Sequence, residues 1–428
     1  MKCPQHLNDV DLFAPGAQEH WFDAYDILHE HAPVHRIPGE GYLPGSDGFI
    51  LSRFEDIEKV VKNPERFPPT LTLGVQALKQ ANIPLEEQKH VNAMVASIAT
   101  LRPNMTLGRS HKQELTDPWV GTGAGRHEDM VRRFVHQLID NWIDKTEVEF
   151  ISEFARPLPQ MVMATMLGFP LEDIAQLAKW GAAQVMPFVY GKGHRNELSE
   201  EQLQAQFKEL DGFKEYVQEK VEEKRAHPGD DMISFLTQVT YKALGRKLTD
   251  IEINGVVYAM VIGGLETTQY AIEEEAQLLC ETEGLWQVLK ADRSKLRAFT
   301  EESMRLRSPT QGLSTRTTSQ DEVFQGVKVP KGSMLHLRWG AANRDPTAFE
   351  CPKEINLNRQ PITRHLTFSA GPRTCPGNSL SRLEQTIAWD CLLDRLAHIE
   401  YAPGNTFEHQ PGIMFGTLEL KLKIEEAA

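Results

Sequence analysis

Cysteine is scarce in this chain: five residues in 428, at positions 3, 280, 351, 375 and 391, with no C-x-x-C pair among them. An odd number of widely spaced thiols argues against a disulfide framework, and the missing pair argues against a zinc finger. Long apolar runs are also absent. No stretch of about 18 apolar residues occurs that could span a bilayer, and the opening MKCPQHLNDVDLFAPG lacks the basic start and apolar block of a secretory signal. No membrane anchor is expected, and a cytoplasmic location is. Positive charge is in deficit, with a net charge of −14. That argues against binding nucleic acid nonspecifically while leaving room for a local basic patch. No internal repeat or low-complexity linker appears. The composition, 40% hydrophobic and 25% charged, is that of a globular protein, expected here as one monomeric domain over residues 1–428.

The segments divide by periodicity into a mainly α protein with a small β portion. HWFDAYDILHEHAP carries apolar residues at helical spacing, and GYLPGSDGFILSRFEDIEKVVKNPERF gives two short strands around a turn, followed by a helix. A β-rich edge is expected at about 34–55 and 312–340, with a helical body at about 56–310. From about 70 to 110 no period holds, and a long irregular connection is expected. The charged stretch 200–226 reads as a solvated surface helix. LTDIEINGVVYAMVIGGLETTQYAIEEEAQLLCETEG should form one long central helix, since its middle is apolar on nearly every side and Thr249 with Glu252 makes a capping box. A last long helix is expected from about 378.

Cys375 sits in HLTFSAGPRTCPGNSL, a loop at residues 365–380 almost free of bulky side chains. A thiol there can be a buried filler, a nucleophile or a metal ligand. No His or Asn follows it to act as a base. Gly371 and Gly377 let the backbone approach a large flat object, Phe368 can pack beside the sulfur, and Arg373 offers a fork for a carboxylate. The helix beginning just after Cys375 points N–H groups at the sulfur and favours thiolate. Haem b (iron protoporphyrin IX) needs these features: an axial ligand, room for a macrocycle and a partner for its propionates.

The pattern F-x-x-G-x-R-x-C-x-G, filled by Phe368, Gly371, Arg373, Cys375 and Gly377, resembles the haem-ligand signature of the cytochrome P-450 family, in which a Cys thiolate holds the iron. The resemblance runs from NPERF at 63–67 through the tail and is weakest over about 68–125. It implies that fold, with haem between the central helix and the Cys-loop helix, and Cys375 as iron ligand. Glu302 and Arg305, at i, i+3 in FTEESMRLRSP, resemble the family's Glu-x-x-Arg helix, and Arg359 is the expected meander arginine that locks to them. In GGLETTQ, Gly263 and Gly264 would admit the cofactor against the helix. By resemblance, Thr267 would hold activated dioxygen and Glu266 would relay protons. Arg316, His365 and His111 match positions that contact propionates. The family usually has an Arg four residues after that His. Here the position is Leu115, with Arg109 or Lys112 as candidate replacements.

The implied activity is a soluble monooxygenase that cleaves O2, inserts one oxygen atom into a hydrophobic small molecule (terpenoid, aromatic or fatty) and takes electrons from a separate ferredoxin and ferredoxin reductase. About 50 residues follow Cys375, so no flavin or iron–sulfur segment is expected after the haem domain. Lys112, Arg126, Arg132, Arg133 and Arg382 would form the basic docking patch. The rivals are a peroxide-driven or non-oxygenating haem-thiolate enzyme and a haem-binding sensor without turnover. Pocket walls are expected from Trp180, Met186, Phe188, Met260, Leu313, Ser314, Ile413, Met414 and Phe415, and from the 70–110 segment.

Overall fold

The computed structural model describes residues 2–41, 45–70, 93–190, 198–312 and 315–427, and it is mainly helical with small sheets. Helices Asp250–Gly264 and Thr267–Glu281 run through the centre, with Ile253, Val257, Val261, Ile272, Ala276 and Leu279 all buried. Helices Pro157–Leu167, Ile174–Tyr190 and Glu200–Ala226 pack against the first of these, and Leu296–Leu306 and Asn378–Arg395 against the second. The Thr249–Glu252 capping box is present, with the Thr249 N–H donating to Glu252 Oε2 at 2.9 Å. Helix Glu200–Ala226 buries only Gln206, Phe213, Val217 and Val221, as its charge pattern requires.

The central helix is not continuous. It breaks at Leu265 and Glu266, where the Thr267 hydroxyl donates to the Gly263 carbonyl at 2.8 Å and occupies an acceptor that a helical N–H would otherwise use. Two successive glycines lower the cost of leaving the helix there.

The β-rich edge is one four-stranded sheet. Val34–Ile37 pairs antiparallel with Gly48–Leu51, which runs parallel to Met334–Leu337, which pairs antiparallel with Thr315–Thr317. A hairpin, Glu322–Phe324 with Val327–Val329, adjoins it. In the tail, Lys421–Glu426 lies between Leu396–Tyr401 and Glu147–Glu149.

The irregular connection expected over 70–110 is helical in its second half. Residues 71–92 lie outside those described, but Ala93–Leu101 and Met105–His111 are helices. AMVASIATL is mostly apolar and shows no clear helical stripe, as it packs along Asp250–Gly264. Asn104 caps the second helix, accepting from the Leu107 N–H at 2.9 Å.

Candidate active site

The Cys375 loop is held at both ends. The Cys375 N–H donates to the Phe368 carbonyl at 2.9 Å, and the Asn378 amide donates to the Cys375 carbonyl at 2.6 Å. The Phe368 ring lies under the Arg382 guanidinium, 4.5 Å away. Burial pushes the Cys375 thiol up from its ordinary value, while backbone N–H groups of Gly377 and Asn378 and the charges of Lys112 and Arg382 pull it down. The net direction is up, so the loop alone does not ionise the sulfur and a bound cation would complete the task. Gly371 serves another purpose than the one expected. Its φ is +70°, and a Cβ there would lie 3.1 Å from the Lys62 Cα, so this glycine lets the loop press on helix Phe54–Lys62.

A group of basic side chains has nitrogens without partners among the described residues. Arg102 Nε, His111 Nε2, Arg316 Nε and Arg373 Nε are buried with no hydrogen-bond partner among the described residues. Burial and then the Arg373 charge push both Arg102 and Arg316 down to about 10, and burial and then Arg102 push His111 down to about 3. The Arg373 charge thus acts on both Arg102 and Arg316, and the Arg102 charge on His111. Arg102 had no signal in the sequence. It follows Ala93–Leu101 directly, nine positions before His111, outside any motif. Leu115 is core, Arg109 is exposed and Lys112 lies towards the Cys375 sulfur.

His365 does not join this group. Its Nε2 is 2.8 Å from Glu301 Oε2, and the same carboxylate accepts from Arg382 Nε at 2.7 Å. The expectation of a propionate contact is corrected accordingly: Glu301, beside the Glu-x-x-Arg pair, occupies the imidazole.

Glu302 accepts from Arg305 Nε at 2.7 Å, from Arg359 Nε at 2.9 Å and from the Asn356 N–H at 3.0 Å. Arg305 also donates to the carbonyls of Asn343, Pro352 and Glu354. Both members of the pair are about 1% exposed. This network ties helix Leu296–Leu306 to the meander that precedes the Cys loop.

On the central helix, Gly263 is exposed although the helix is otherwise enclosed, and a Cβ there would meet nothing within 4 Å. Gly264 faces the other way, where a Cβ would meet the Met163 Cε. Gly263 therefore borders open space, and Gly264 serves packing against helix Pro157–Leu167. Thr267 is half-buried, and Tyr270 donates to Glu266 Oε2 at 3.0 Å.

Several expected pocket walls pack elsewhere. Phe415 stacks on His409 at 4.3 Å and contacts Phe22 and Trp21 in the N-terminal cluster. Trp180 packs on Tyr216 and Phe213 at 5.0 and 5.6 Å, and Met260 is 6% exposed in the helical core. Met414 is buried, whereas Met186 and Ile413 are half-buried. Leu313, Ser314 and the Phe188 side chain lie outside what is described. Of the expected basic patch, Arg126 pairs with Asp230, Arg132 with Asp390 and Arg382 with Glu301.

The sulfur on its N–H groups, the glycine facing open space and four basic groups with no carboxylate partner among the described residues fit haem b with its two propionates. Comparison with known proteins agrees. A family model, Cytochrome P450, matches residues 291–424. The Biotin biosynthesis cytochrome P450 of Bacillus subtilis (strain 168) is 34% identical over 395 residues, 92% of this chain and 93% of that protein. Cytochrome P450(BM-1) of Priestia megaterium is 30% identical over 412 residues, 95% and 93% of the two chains. The solved structure of P450BioI in complex with hexadec-9Z-enoic acid ligated acyl carrier protein superposes with a TM-score of 0.79 at 25% identity, covering 95% of this chain and 99% of that one. The chain belongs to the cytochrome P450 family, haem b monooxygenases that act on small molecules with O2.

Proposed function

We propose that this enzyme inserts one atom of O2 into a hydrophobic small molecule, with Cys375 as the iron ligand and electrons supplied by a separate ferredoxin chain. The observation that carries the reading is the Cys375 sulfur, buried among the Gly377 and Asn378 N–H groups at the head of helix Asn378–Arg395. Bound there, haem b would supply an iron centre whose thiolate ligand pushes electron density toward O–O cleavage. Arg102, His111, Arg316 and Arg373 would hold its propionates by charge-assisted hydrogen bonds, each having a buried nitrogen with no hydrogen-bond partner among the described residues.

Thr267 holds a hydroxyl at the break in the helix, beside the open space at Gly263. Glu266 supplies an acid next to it. Burial raises its pKa, against the Tyr270 hydrogen bond and the Arg156 charge, which lower it. An acid held above the ordinary carboxylate range regains a proton more readily after giving one up. This supports proton delivery at the reacting oxygen, which a peroxide-driven enzyme or a sensor does not need. Thr267→Ala should keep electron consumption while diverting electrons to hydrogen peroxide, whereas unchanged coupling would remove Thr267 from the relay.

Lys112, whose charge acts on the sulfur, supports a ferredoxin on that face. Turnover with ferredoxin and its reductase, and none with peroxide alone, is the expected outcome. No helix among the described residues is long and apolar enough to cross a membrane. Among hydrophobic substrates, a long acyl chain has specific support from the relative solved with an acylated carrier protein. A spin shift of the ferric haem on adding hexadecenoate, free or carrier-bound, tests that choice against terpenoid and aromatic compounds.

A further inference from the structure

Glu266 lines a cavity of 260 Å³ on the flank of the central helix, together with Arg156, Gln160, Tyr270, Gln410 and Leu418. The volume has room for several waters, and Leu418, 54% exposed, sits where it meets solvent. The Tyr270 hydroxyl is 3.0 Å from Glu266 Oε2 and 2.8 Å from Gln410 Oε1. A phenol has one proton, so it can donate to only one of these oxygens at a time. Gln410 is delivered by the tail segment, whose Gly416 carbonyl accepts from the Gln410 N–H at 3.1 Å. A Cβ at Gly416 would lie 2.2 Å from the Tyr270 Cδ1 and 2.2 Å from Glu273 Oε1, so a glycine is what lets the tail press onto this ring.

We propose that Tyr270 is a positioning residue for proton delivery: with Gln410 it holds the Glu266 carboxyl in the lateral cavity and switches its hydrogen bond each time Glu266 gains or loses a proton. The proposal rests on the reading of Glu266 as a proton relay. When Glu266 has passed its proton toward Thr267, the carboxylate accepts the phenol hydrogen. When a proton from solvent, passed along the waters of the cavity, reaches Glu266, the carboxylic acid donates to the phenol oxygen and the phenol hydrogen turns to Gln410. The phenol itself stays neutral, because burial and then the charges of Glu266 and Glu273 push it far above its ordinary value. Among the described residues, the groups that face this acid are Arg156 from the start of helix Pro157–Leu167, Tyr270 and Glu273 on its own helix, and the neutral Gln410 from the tail.

The test uses the haem-loaded enzyme and infrared difference spectra across pH, with the Glu266 carboxyl band identified by its loss in Glu266→Gln. Tyr270→Phe removes a donor to the carboxylate, so the Glu266 midpoint should rise. Gln410→Leu removes the alternative acceptor, so the midpoint should fall. Both variants should send a larger share of electrons to peroxide at unchanged substrate KM. Midpoints that stay at the wild-type value, or move together, would overturn the switch while leaving the relay in place. Unchanged coupling in Glu266→Gln would overturn the relay and the proposal with it. Should Tyr270→Phe fail to fold, the downward shift in Gln410→Leu alone decides the matter.

Discussion

Arg102 and Arg373 are like charges that act on each other, and the Nε of neither has a hydrogen-bond partner among the described residues. Two half-buried guanidinium groups that repel each other raise the free energy of the chain unless an anion joins them. A propionate of haem b is that anion in this account. Arg102→Gln should therefore loosen the cofactor. A lost charge-assisted hydrogen bond of about 1.5–3 kcal/mol corresponds to roughly tenfold to a hundredfold faster haem transfer to an acceptor apoprotein. Arg109→Gln should transfer haem at the wild-type rate, and equal rates for all three proteins would remove Arg102 from the cofactor site.

Glu302 and Arg305 should matter to stability more than to chemistry. Replacing Glu302 by Gln leaves the Arg305 and Arg359 guanidinium groups without their shared counter-charge in a buried site. The expected loss is about 3–5 kcal/mol, read from urea unfolding of the haem-loaded protein. A loss under about 1 kcal/mol would mean that the carbonyls of Asn343, Pro352 and Glu354 suffice to hold Arg305.

Glu384, on helix Asn378–Arg395, is buried, with Oε2 unpartnered among the described residues, and burial pushes its pKa up to about 8. The folded state thus keeps a proton that the unfolded chain releases near about 4.3. Stability from this group is highest below that value and falls as pH rises toward about 8. Glu384→Gln should flatten this decline, most visibly when unfolding midpoints at pH 5.5 and 8 are compared. Parallel declines in the two proteins would show that the carboxyl is solvated or paired in solution.

What could be read from the sequence follows how local each feature is. Cys375 and its glycines, the Glu302–Arg305 pair and the Thr249 capping box lie within short windows of fixed spacing, and the geometry brings those residues together. Arg102 was illegible because the groups its charge acts on, His111 and Arg373, share no motif with it, and because the mostly apolar helix before it shows no clear stripe. His365 was misjudged for the converse reason. It stands three residues before the motif, but its partner Glu301 is 64 positions earlier. The break at Leu265 and Glu266 was missed because apolar patterning reports burial, which continues across it, whereas the Thr267 bond to the Gly263 carbonyl leaves no periodic trace.

The central claim is that Cys375 supplies the thiolate to haem iron. The most direct measurement is the carbon monoxide difference spectrum of the reduced protein, with wild type beside Cys375→Ser. The account predicts the red-shifted band that gives the family its name in wild type and its loss in the variant with haem still bound. An unaltered band in Cys375→Ser, or a wild type that binds haem without showing that band, would contradict it.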